Sequence, residues 1–195
     1  MIDIANFLFE VGMLKKTPRT GFRFLGSGCE SVAEHILRTI FIGYALSKLE
    51  TDVDELRVLK ICLVHDLPEA RTGDMNYMYK KYVTVHEDRA IKELTETLFF
   101  GDEIKSAIDE FNEKKTKEAL IAHDADQLAL ILQLKEYGDL GNKYTKDWIE
   151  FACKRLCTET AKKLANSIIK TDSSQWWFKD KSDWWVNGGG NNNTK

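Results

Sequence analysis

The sequence predicts an all-α protein that folds as one domain. Its 195 residues include only two prolines and 12 glycines, so few positions interrupt regular structure. Between them, apolar side chains recur at the 3.6-residue spacing of helices rather than in the alternation typical of strands. Hydrophobic residues make up 43% of the chain, which is enough to build one sizeable core.

The first helix is predicted over residues 2–14 and ends before Pro18. Its inner face is expected to carry Ile4, Phe7, Leu8, Val11 and Leu14. A loop from Arg19 to Glu30 contains three glycines. Ser31 and Glu34 then fit a capping box, in which each side chain bonds the backbone of the other residue, and a second helix begins there.

This second helix is predicted to run to Lys48 and to place His35 in its first turn. Its buried stripe is expected to contain Val32, Ile36, Ile40, Phe41 and Tyr44. The third helix should begin at Asp52 or Asp54 and end near Pro68, because proline cannot donate a backbone hydrogen bond to the preceding turn. Its inward residues are expected to be Leu56, Leu59, Leu63 and Val64.

A second capping box is predicted at Thr84 and Glu87, before a helix carrying Ile91, Leu94 and Leu98. Further helices are predicted over residues 102–114, 116–137 and 145–169. Residues 1–172 are expected to form the domain and residues 173–195 a tryptophan-rich segment with a tail. Paired tryptophans there are predicted to hold the C-terminus to the body or to a second subunit, and residues 187–195 to be disordered because they have too little to bury.

Charge and composition restrict the partners. The formal net charge of −3 gives no global positive field that would attract nucleic acid or anionic lipid. No apolar run is long enough to span a membrane, and the first residues lack the basic leader of a secretory signal. The four cysteines form no Cys-x-x-Cys pair, which favours reduced thiols. We therefore expect a cytoplasmic protein without nucleic-acid or membrane partners.

Ionisable residues in helical segments suggest a metal site. His65 and Asp66 are adjacent at a predicted helix end, where an imidazole and a carboxylate can bind one cation. By itself such a pair is more often satisfied by ordinary hydrogen bonds than by a metal. Three further features favour a metal: His35 in a capped helix, Glu69 and Asp74 just downstream, and Asp126 in an otherwise apolar helix, where an unpaired carboxylate would be costly.

The spacing of these motifs resembles the HD-domain metal-dependent phosphohydrolases, and within them the small 5′-deoxynucleotidase branch. The similar stretches are residues 14–22, 31–35, 65–74 and 126–128, in the order found in that family. The resemblance implies an HD-type helical domain in which His35, His65, Asp66 and Asp126 hold one divalent metal. Such a set has two imidazoles and two carboxylates, which suits Mn, Co, Fe, Ni, Mg or Zn.

Two other residues compete for a place in this set. Asp124 lies about 200° from Asp126 around the helix, so the two cannot both face the site, and Asp126 is the residue followed by Gln-Leu as in the family. Asp124 is expected to point outward or to bond a neighbouring helix. His86 would suit a second metal, but it lies in a predicted capping turn. His123 shares a helix face with Asp126 and would suit a supporting position behind the metal ligands, but an ordinary partly buried histidine is the favoured interpretation.

The resemblance also implies catalytic and substrate-binding residues. Glu69 is expected to hold the attacking water, and Asp74 to protonate the leaving oxygen or orient the sugar, although Asp74 also suits a simple turn after Gly73. Arg19 is the expected phosphate ligand, because its planar guanidinium can bind two oxygens. Lys15, Lys16 and Arg23 are nearby cations that can equally be solvated. Phe22 stands where the family often has tryptophan and is predicted to contact sugar or base.

The function expected from this resemblance is hydrolysis of deoxynucleoside 5′-monophosphates by direct attack of water. Two alternatives remain open. The same site would serve nucleoside di- or triphosphates or a modified nucleotide, because the residues between Asp74 and Lys80 depart from the branch's pattern. The second alternative is a metal-binding regulatory module without catalysis. A small-molecule nucleotide substrate and a homodimer are the expected partners.

Overall fold

The computed structural model describes residues 1–179 and 184–188, and these form α-helices and short 3₁₀ helices with one isolated β-bridge. The predicted all-α class is therefore confirmed. The α-helices of the described residues are α1 (Ile2–Val11), α2 (Val32–Leu49), α3 (Glu55–Val64), α4 (Glu69–Thr72), α5 (Glu87–Thr95), α6 (Gly101–Glu113), α7 (Lys117–Asp139), α8 (Thr145–Lys154), α9 (Glu159–Lys170), α10 (Gln175–Phe178) and α11 (Trp184–Asn187). The 3₁₀ helices are Gly12–Lys15, Thr20–Leu25 and Tyr79–Lys81.

Helix α7 is the centre of the fold. It packs against α2, α3, α8 and α9, and α6 also contacts it. Ile121, Leu128 and Ile131 are fully buried along it. A helix surrounded by others must be apolar on most of its faces, so its polar residues are conspicuous. The ionisable residues of α7 therefore either hold the fold together or form a site.

The buried faces of α2 and α3 differ from the prediction. Phe41 and Tyr44 on α2 are exposed, as are Leu56 and Leu63 on α3. In place of Leu56 and Leu63, α3 buries Val58, Ile61 and Cys62, and it also buries Val64 as predicted.

The reason for this difference is a close approach of the two helices. A Cβ on Gly43 of α2 would lie 2.7 Å from Cys62 Sγ and 3.3 Å from a Val58 methyl carbon. The absence of a side chain at Gly43 lets Val58 and Cys62 pack onto α2. Apolar residues lie on two sides of this ten-residue helix. Its sequence alone therefore does not show which of the two sides packs against the glycine of α2.

Helix termini were predicted with mixed success. The capping box at Ser31 is confirmed: Glu34 N donates to Ser31 Oγ, and Ser31 N donates to Glu34 Oε2. The box at Thr84 is wrong, because His86 occupies the N-cap of α5 without a side-chain capping bond. Helix α3 ends at Val64 and the short α4 follows, so the chain turns before Pro68. In α1, Leu8 is exposed rather than inward.

The predicted last helix is broken in two by Asp124 of α7. This fully buried carboxylate accepts hydrogen bonds from Cys157 N at 2.7 Å, Thr158 N at 2.8 Å and Thr158 Oγ1 at 2.7 Å. Thr158 is the N-cap of α9 and in turn accepts from Ala161 N. The backbone N–H groups of Cys157 and Thr158, which have no acceptor within α9, therefore bond to a side chain of α7.

The segment before α2 is fixed beside the start of that helix. Arg19 N donates to Glu30 O at 2.8 Å, and Val32 N donates to Thr17 O at 2.9 Å, around an antiparallel bridge between Pro18 and Ser31. Within the predicted loop, residues Thr20–Leu25 form a 3₁₀ helix. These bonds place the Arg19 backbone next to the N-terminal turn of α2.

Near the C-terminus, the rings of Trp177, Phe178 and Trp185 pack on one another with centroids 5.3–5.7 Å apart. Ser173 N donates to Asp139 Oδ2 and links this segment to α7. Residues 189–195, most of the tail predicted to be disordered, lie outside the described residues, and the boundary at residue 172 stays a prediction. None of the described helices has the length and apolarity needed to cross a bilayer.

Candidate metal centre and its surroundings

Two histidines and two aspartates from different parts of the chain meet at one point beside α7. His35 comes from α2, His65 and Asp66 from the turn that follows α3, and Asp126 from α7. His35 Nε2 lies 3.1 Å from Asp126 Oδ1 and 3.5 Å from Asp66 Oδ2, and His65 Nε2 lies 3.3 Å from the same Asp66 oxygen. The four predicted metal ligands are thus brought together.

These spacings fit a bound cation. A metal that binds nitrogen and oxygen at about 2.1 Å separates neighbouring donor atoms by about 3.0 Å in octahedral and about 3.4 Å in tetrahedral coordination. The three contacts above cover 3.1–3.5 Å. One donor atom from each of His35, His65 and Asp126 lies within 4.8 Å of the others, and Asp66 joins these three through its contacts with the two histidines. His65 Nε2 is also buried without a well-aligned hydrogen bond, as a coordinating atom would be.

Hydrogen bonding fixes the tautomer of His65. Its Nδ1 lies 2.8 Å from the carbonyl oxygen of Cys62, which can only accept, so Nδ1 carries a proton. In the neutral ring, Nε2 therefore keeps its lone pair and directs it toward the aspartates.

The charges of the cluster shift its pKa values. Burial alone would lower the pKa of His65, but the Asp66 carboxylate raises it to about 9. Burial lowers the pKa of His35. Burial would raise the pKa of Asp66 and Asp126, yet the histidines and Arg19 hold both well below their ordinary range. Without a metal, the cluster is a network of ionised carboxylates and one protonated imidazole.

Arg19 extends into the same cluster. Its Nη1 donates to Asp66 Oδ2 at 3.2 Å and lies 3.9 Å from Asp74 Oδ1. The side chain is 15% exposed, and although burial opposes it, the carboxylates of Asp66, Asp126 and Asp74 raise the pKa of Arg19. A guanidinium held among carboxylates at the surface of a cation site is well placed to bind an anion.

Glu69 and Asp74 have different surroundings. Burial, with the carboxylates of Asp66 and Asp74, raises the pKa of Glu69 to about 9, and Glu69 Oε2 is buried without a hydrogen-bond partner among the described residues. Asp74 Oδ2 instead accepts from the backbone and hydroxyl of Thr20. Asp74 therefore fixes the start of the 3₁₀ helix next to Arg19, while Glu69 keeps an unused carboxyl oxygen.

The remaining predicted substrate residues lie apart from this group. Phe22 is buried in a small apolar cluster with Leu25 and Leu134 and packs edge-on against Tyr137 at 5.5 Å. Its contact with a sugar or base stays a prediction. Arg23 is bound to the Tyr79 hydroxyl. Lys15 and Lys16 are exposed.

The competing candidates for metal binding have other partners. Asp124 accepts a hydrogen bond at the start of α9. Of the two predictions for Asp124, the bond to a neighbouring helix is therefore the correct one, and the outward orientation is wrong. His123 Nε2 lies 2.6 Å from Lys114 Nζ, and burial lowers the pKa of His123. His86 is exposed at the start of α5.

Sequence reasoning gave no role in the site to three residues beside the centre. Glu30 is buried, its Oε2 lies 3.9 Å from Arg19 Nε, and burial raises its pKa to about 7. Gln127 donates to Asp126 Oδ2 and accepts from Arg155. The position of Glu30 directly before the capping serine was the available signal, whereas Arg155 lies in a predicted helix interior and gave none.

A helical fold around a histidine–aspartate cluster of this kind defines an HD-domain protein, and the chain belongs to that family: the HD domain family profile matches residues 11–168.

Relatives and solved structures are similar over most of the chain. A 5′-deoxynucleotidase HDDC2 from Dictyostelium discoideum is 35% identical over 149 residues, covering 70% of this chain and 78% of the relative. Its human counterpart is 30% identical over 147 residues, covering 72% and 71%. The crystal structure of the PH0347 protein from Pyrococcus horikoshii OT3 has a TM-score of 0.71 at 30% identity, covering 85% of this chain and 98% of that one.

Proposed function

We propose that this protein is a metal-dependent 5′-deoxynucleotidase, which hydrolyses deoxynucleoside 5′-monophosphates to deoxynucleosides and phosphate. The relatives that carry this name cover more than two thirds of the chain. The observation that carries the proposal is the arrangement of Arg19 and Glu69 around the His35, His65, Asp66 and Asp126 cluster. A structural metal site needs ligands, but it needs neither a buried spare carboxyl group nor an arginine at its edge.

In this proposal the four clustered residues hold one divalent metal. Neutral imidazoles and two carboxylates give the set a formal charge of −2, which balances a divalent cation. Bound there, such a cation supplies a Lewis acid that polarises the phosphoryl group and acidifies water. The donor set suits Mn, Co, Fe, Ni, Mg or Zn, and a single ion is the number proposed.

Glu69 is the proposed proton acceptor. The reaction forms a bond between a water oxygen and phosphorus and breaks the bond from phosphorus to the 5′-oxygen. One proton leaves the water, and one reaches the departing 5′-oxygen. Glu69 holds a proton at neutral pH in the metal-free protein, because its pKa is about 9. A cation held at the cluster would favour the ionised form of Glu69, which would then accept the proton from the attacking water.

Arg19 and Asp74 are proposed to orient the substrate. The Arg19 guanidinium can bind two phosphate oxygens while its Nη1 stays near Asp74 Oδ1. Asp74 bonds Thr20 through Oδ2, whereas its Oδ1 has, within the part of the chain that the structure describes, only the longer ion pair with Arg19. Asp74 is the proposed donor to the leaving oxygen or the proposed ligand of the sugar. Phe22 is proposed to support the sugar or base from behind.

Phosphate release from ribo- and deoxynucleoside mono-, di- and triphosphates tests the proposal. Chelator-treated protein would be resupplied with Mn, Co, Ni, Mg or Zn and compared with Asp66→Ala. We expect release from deoxynucleoside monophosphates by the wild-type chain and none by the variant. Release only from triphosphates would identify a nucleoside triphosphate hydrolase, and no release from any substrate would favour a regulatory metal-binding module. A phosphorylated enzyme trapped during turnover would contradict direct attack by water.

A homodimer and a cytoplasmic location are also proposed. Exposed apolar side chains recur on two helices that pack together, at Leu37, Phe41 and Tyr44 on α2 and at Leu56 and Leu63 on α3. Such recurrence is more typical of a contact surface than singly scattered apolar residues are. Light scattering would show twice the chain mass, and comparing truncation after Thr171 with Phe41→Glu would tell which surface holds the subunits. Cell fractionation would test the location.

A further inference from the structure

The carboxylate of Asp126 is held from behind by two residues that the proposed reaction does not use. Gln127 Nε2 donates to Asp126 Oδ2 at 2.7 Å, and Arg155 Nε donates to Gln127 Oε1. The other oxygen of Asp126, Oδ1, is the one 3.1 Å from His35 Nε2. One oxygen therefore faces the cluster while its partner is bound to an amide.

This arrangement is unusual for neighbours on a helix. Side chains at consecutive positions point about 100° apart and do not normally meet. Gln127 is 7% exposed, so its amide cannot be satisfied by bulk water and needs protein partners at both ends. Arg155, at the C-cap of α8, supplies the partner that holds the glutamine side chain turned back toward Asp126.

Arginine also decides which end of the amide meets Asp126. A guanidinium is always charged and can only donate, so it must face the amide oxygen. The amide NH₂ is then left for Asp126, whereas the reverse orientation would place an oxygen against the carboxylate. A hydrogen bond donated to a carboxylate favours its ionised form, which is the form that binds a cation.

Arg155 also connects this pair to the segment that follows Asp74. Its guanidinium carbon lies 5.3 Å from the ring centroid of Tyr77, which is 68% exposed. Stacking on an aromatic ring limits the orientations open to the guanidinium.

We infer that Gln127 and Arg155 are positioning residues that orient Asp126 for metal binding, with Arg155 acting through Gln127. The inference rests on the proposed metal centre. Hydrogen-bonding partners of metal ligands typically change metal affinity by about 10- to 100-fold when they are removed. Because Arg155 reaches Asp126 only through the amide, its contribution should disappear once Gln127 is gone.

The test is a double-mutant cycle read as Co²⁺ affinity by calorimetry, on the full chain without substrate. Gln127→Met and Arg155→Met should each raise the dissociation constant, the former by about 10-fold or more. The double variant should bind no more weakly than Gln127→Met alone. Arg57→Met is the matched control, since Arg57 links α3 to α6 through Glu110 and Ser106, and it should bind Co²⁺ as the wild type does. Arg155→Lys keeps the charge if the methionine variant unfolds, and should bind more weakly than wild type.

The outcomes separate this inference from the metal centre itself. If the two single effects multiply in the double variant, or if Gln127→Met binds like wild type while Asp126→Ala does not bind, the positioning role is wrong and the centre stands. Equal losses in Gln127→Met and Arg57→Met would indicate a general loss of structure and would also overturn it. If the wild-type chain binds no Co²⁺, the centre fails and the inference fails with it.

Discussion

Replacing Asp124 by alanine should destabilise the protein far more than a typical surface change. The substitution removes the acceptor of Cys157 N and Thr158 N at the start of α9. Both N–H groups lie at a helix start and have no partner within that helix. The loss is therefore a structural one and should appear in the metal-free protein.

The size of the destabilisation follows from the hydrogen bonds that are lost. A hydrogen bond to a charged group contributes about 1.5–3 kcal/mol, so losing the two partly buried backbone bonds to the Asp124 carboxylate costs about 4 kcal/mol. The Thr158 hydroxyl also loses its acceptor, but it can rotate. In a chain of this length each kcal/mol lowers the melting temperature by about 2–4 °C, which predicts a fall of about 8–16 °C. Asp124→Asn keeps one acceptor oxygen and should cost about half as much.

Thermal unfolding followed by circular dichroism in the presence of a chelator would measure this. Asp147→Ala is the control, because Asp147 is an exposed aspartate in the first turn of α8, and its melting temperature should move by less than about 2 °C. A shift of less than 3 °C for Asp124→Ala would refute the assignment of Asp124 as the acceptor that starts α9.

Three further predictions concern the site. Glu69→Gln should lower kcat by at least about 100-fold while leaving Co²⁺ affinity within about threefold, because the proposed role of Glu69 is to move a proton and not to bind the metal. Equal losses in kcat and in Co²⁺ affinity would instead make Glu69 a metal ligand. Glu30→Gln should raise the KM for a deoxynucleoside monophosphate about fivefold with a smaller effect on kcat, since about 1 kcal/mol of support for Arg19 is lost; Glu34→Gln, at an exposed cap, is the control. Co²⁺ affinity should fall as the pH is lowered below about 9, by about tenfold per unit, because the cation must displace the proton that Asp66 stabilises on His65; titration calorimetry from pH 6 to 9 that gave a constant affinity would contradict this.

Local sequence signals predicted the helices and drew attention to the ionisable residues, while the resemblance to the HD-domain family implied which four of them form the cluster. The capping serine and Glu34 located the start of α2, and hence His35 one turn into it. The adjacent His65 and Asp66 fell at the end of α3, and Asp126 was conspicuous because it interrupts an apolar helix. These features depend on residues within a few positions of one another, which periodicity and capping rules describe.

The features that were missed depend on contacts between distant segments. The break between α8 and α9 is caused by a carboxylate 33 residues away, and the buried face of α3 by the missing side chain of Gly43 on α2. Arg155 joins Gln127 across 28 positions. No local pattern encodes such contacts, because each depends on how whole helices dock.

The residues of the cluster come from α2, from the turn after α3 and from α7. Metal binding is therefore linked to folding. An unfolded chain does not hold His35, His65 and Asp126 together, so a cation that binds them stabilises only the folded state. At a free concentration 100 times its dissociation constant, such a cation adds about 2.7 kcal/mol of stability. Ranking metals by the rise in melting temperature would therefore order their affinities without a substrate and without turnover.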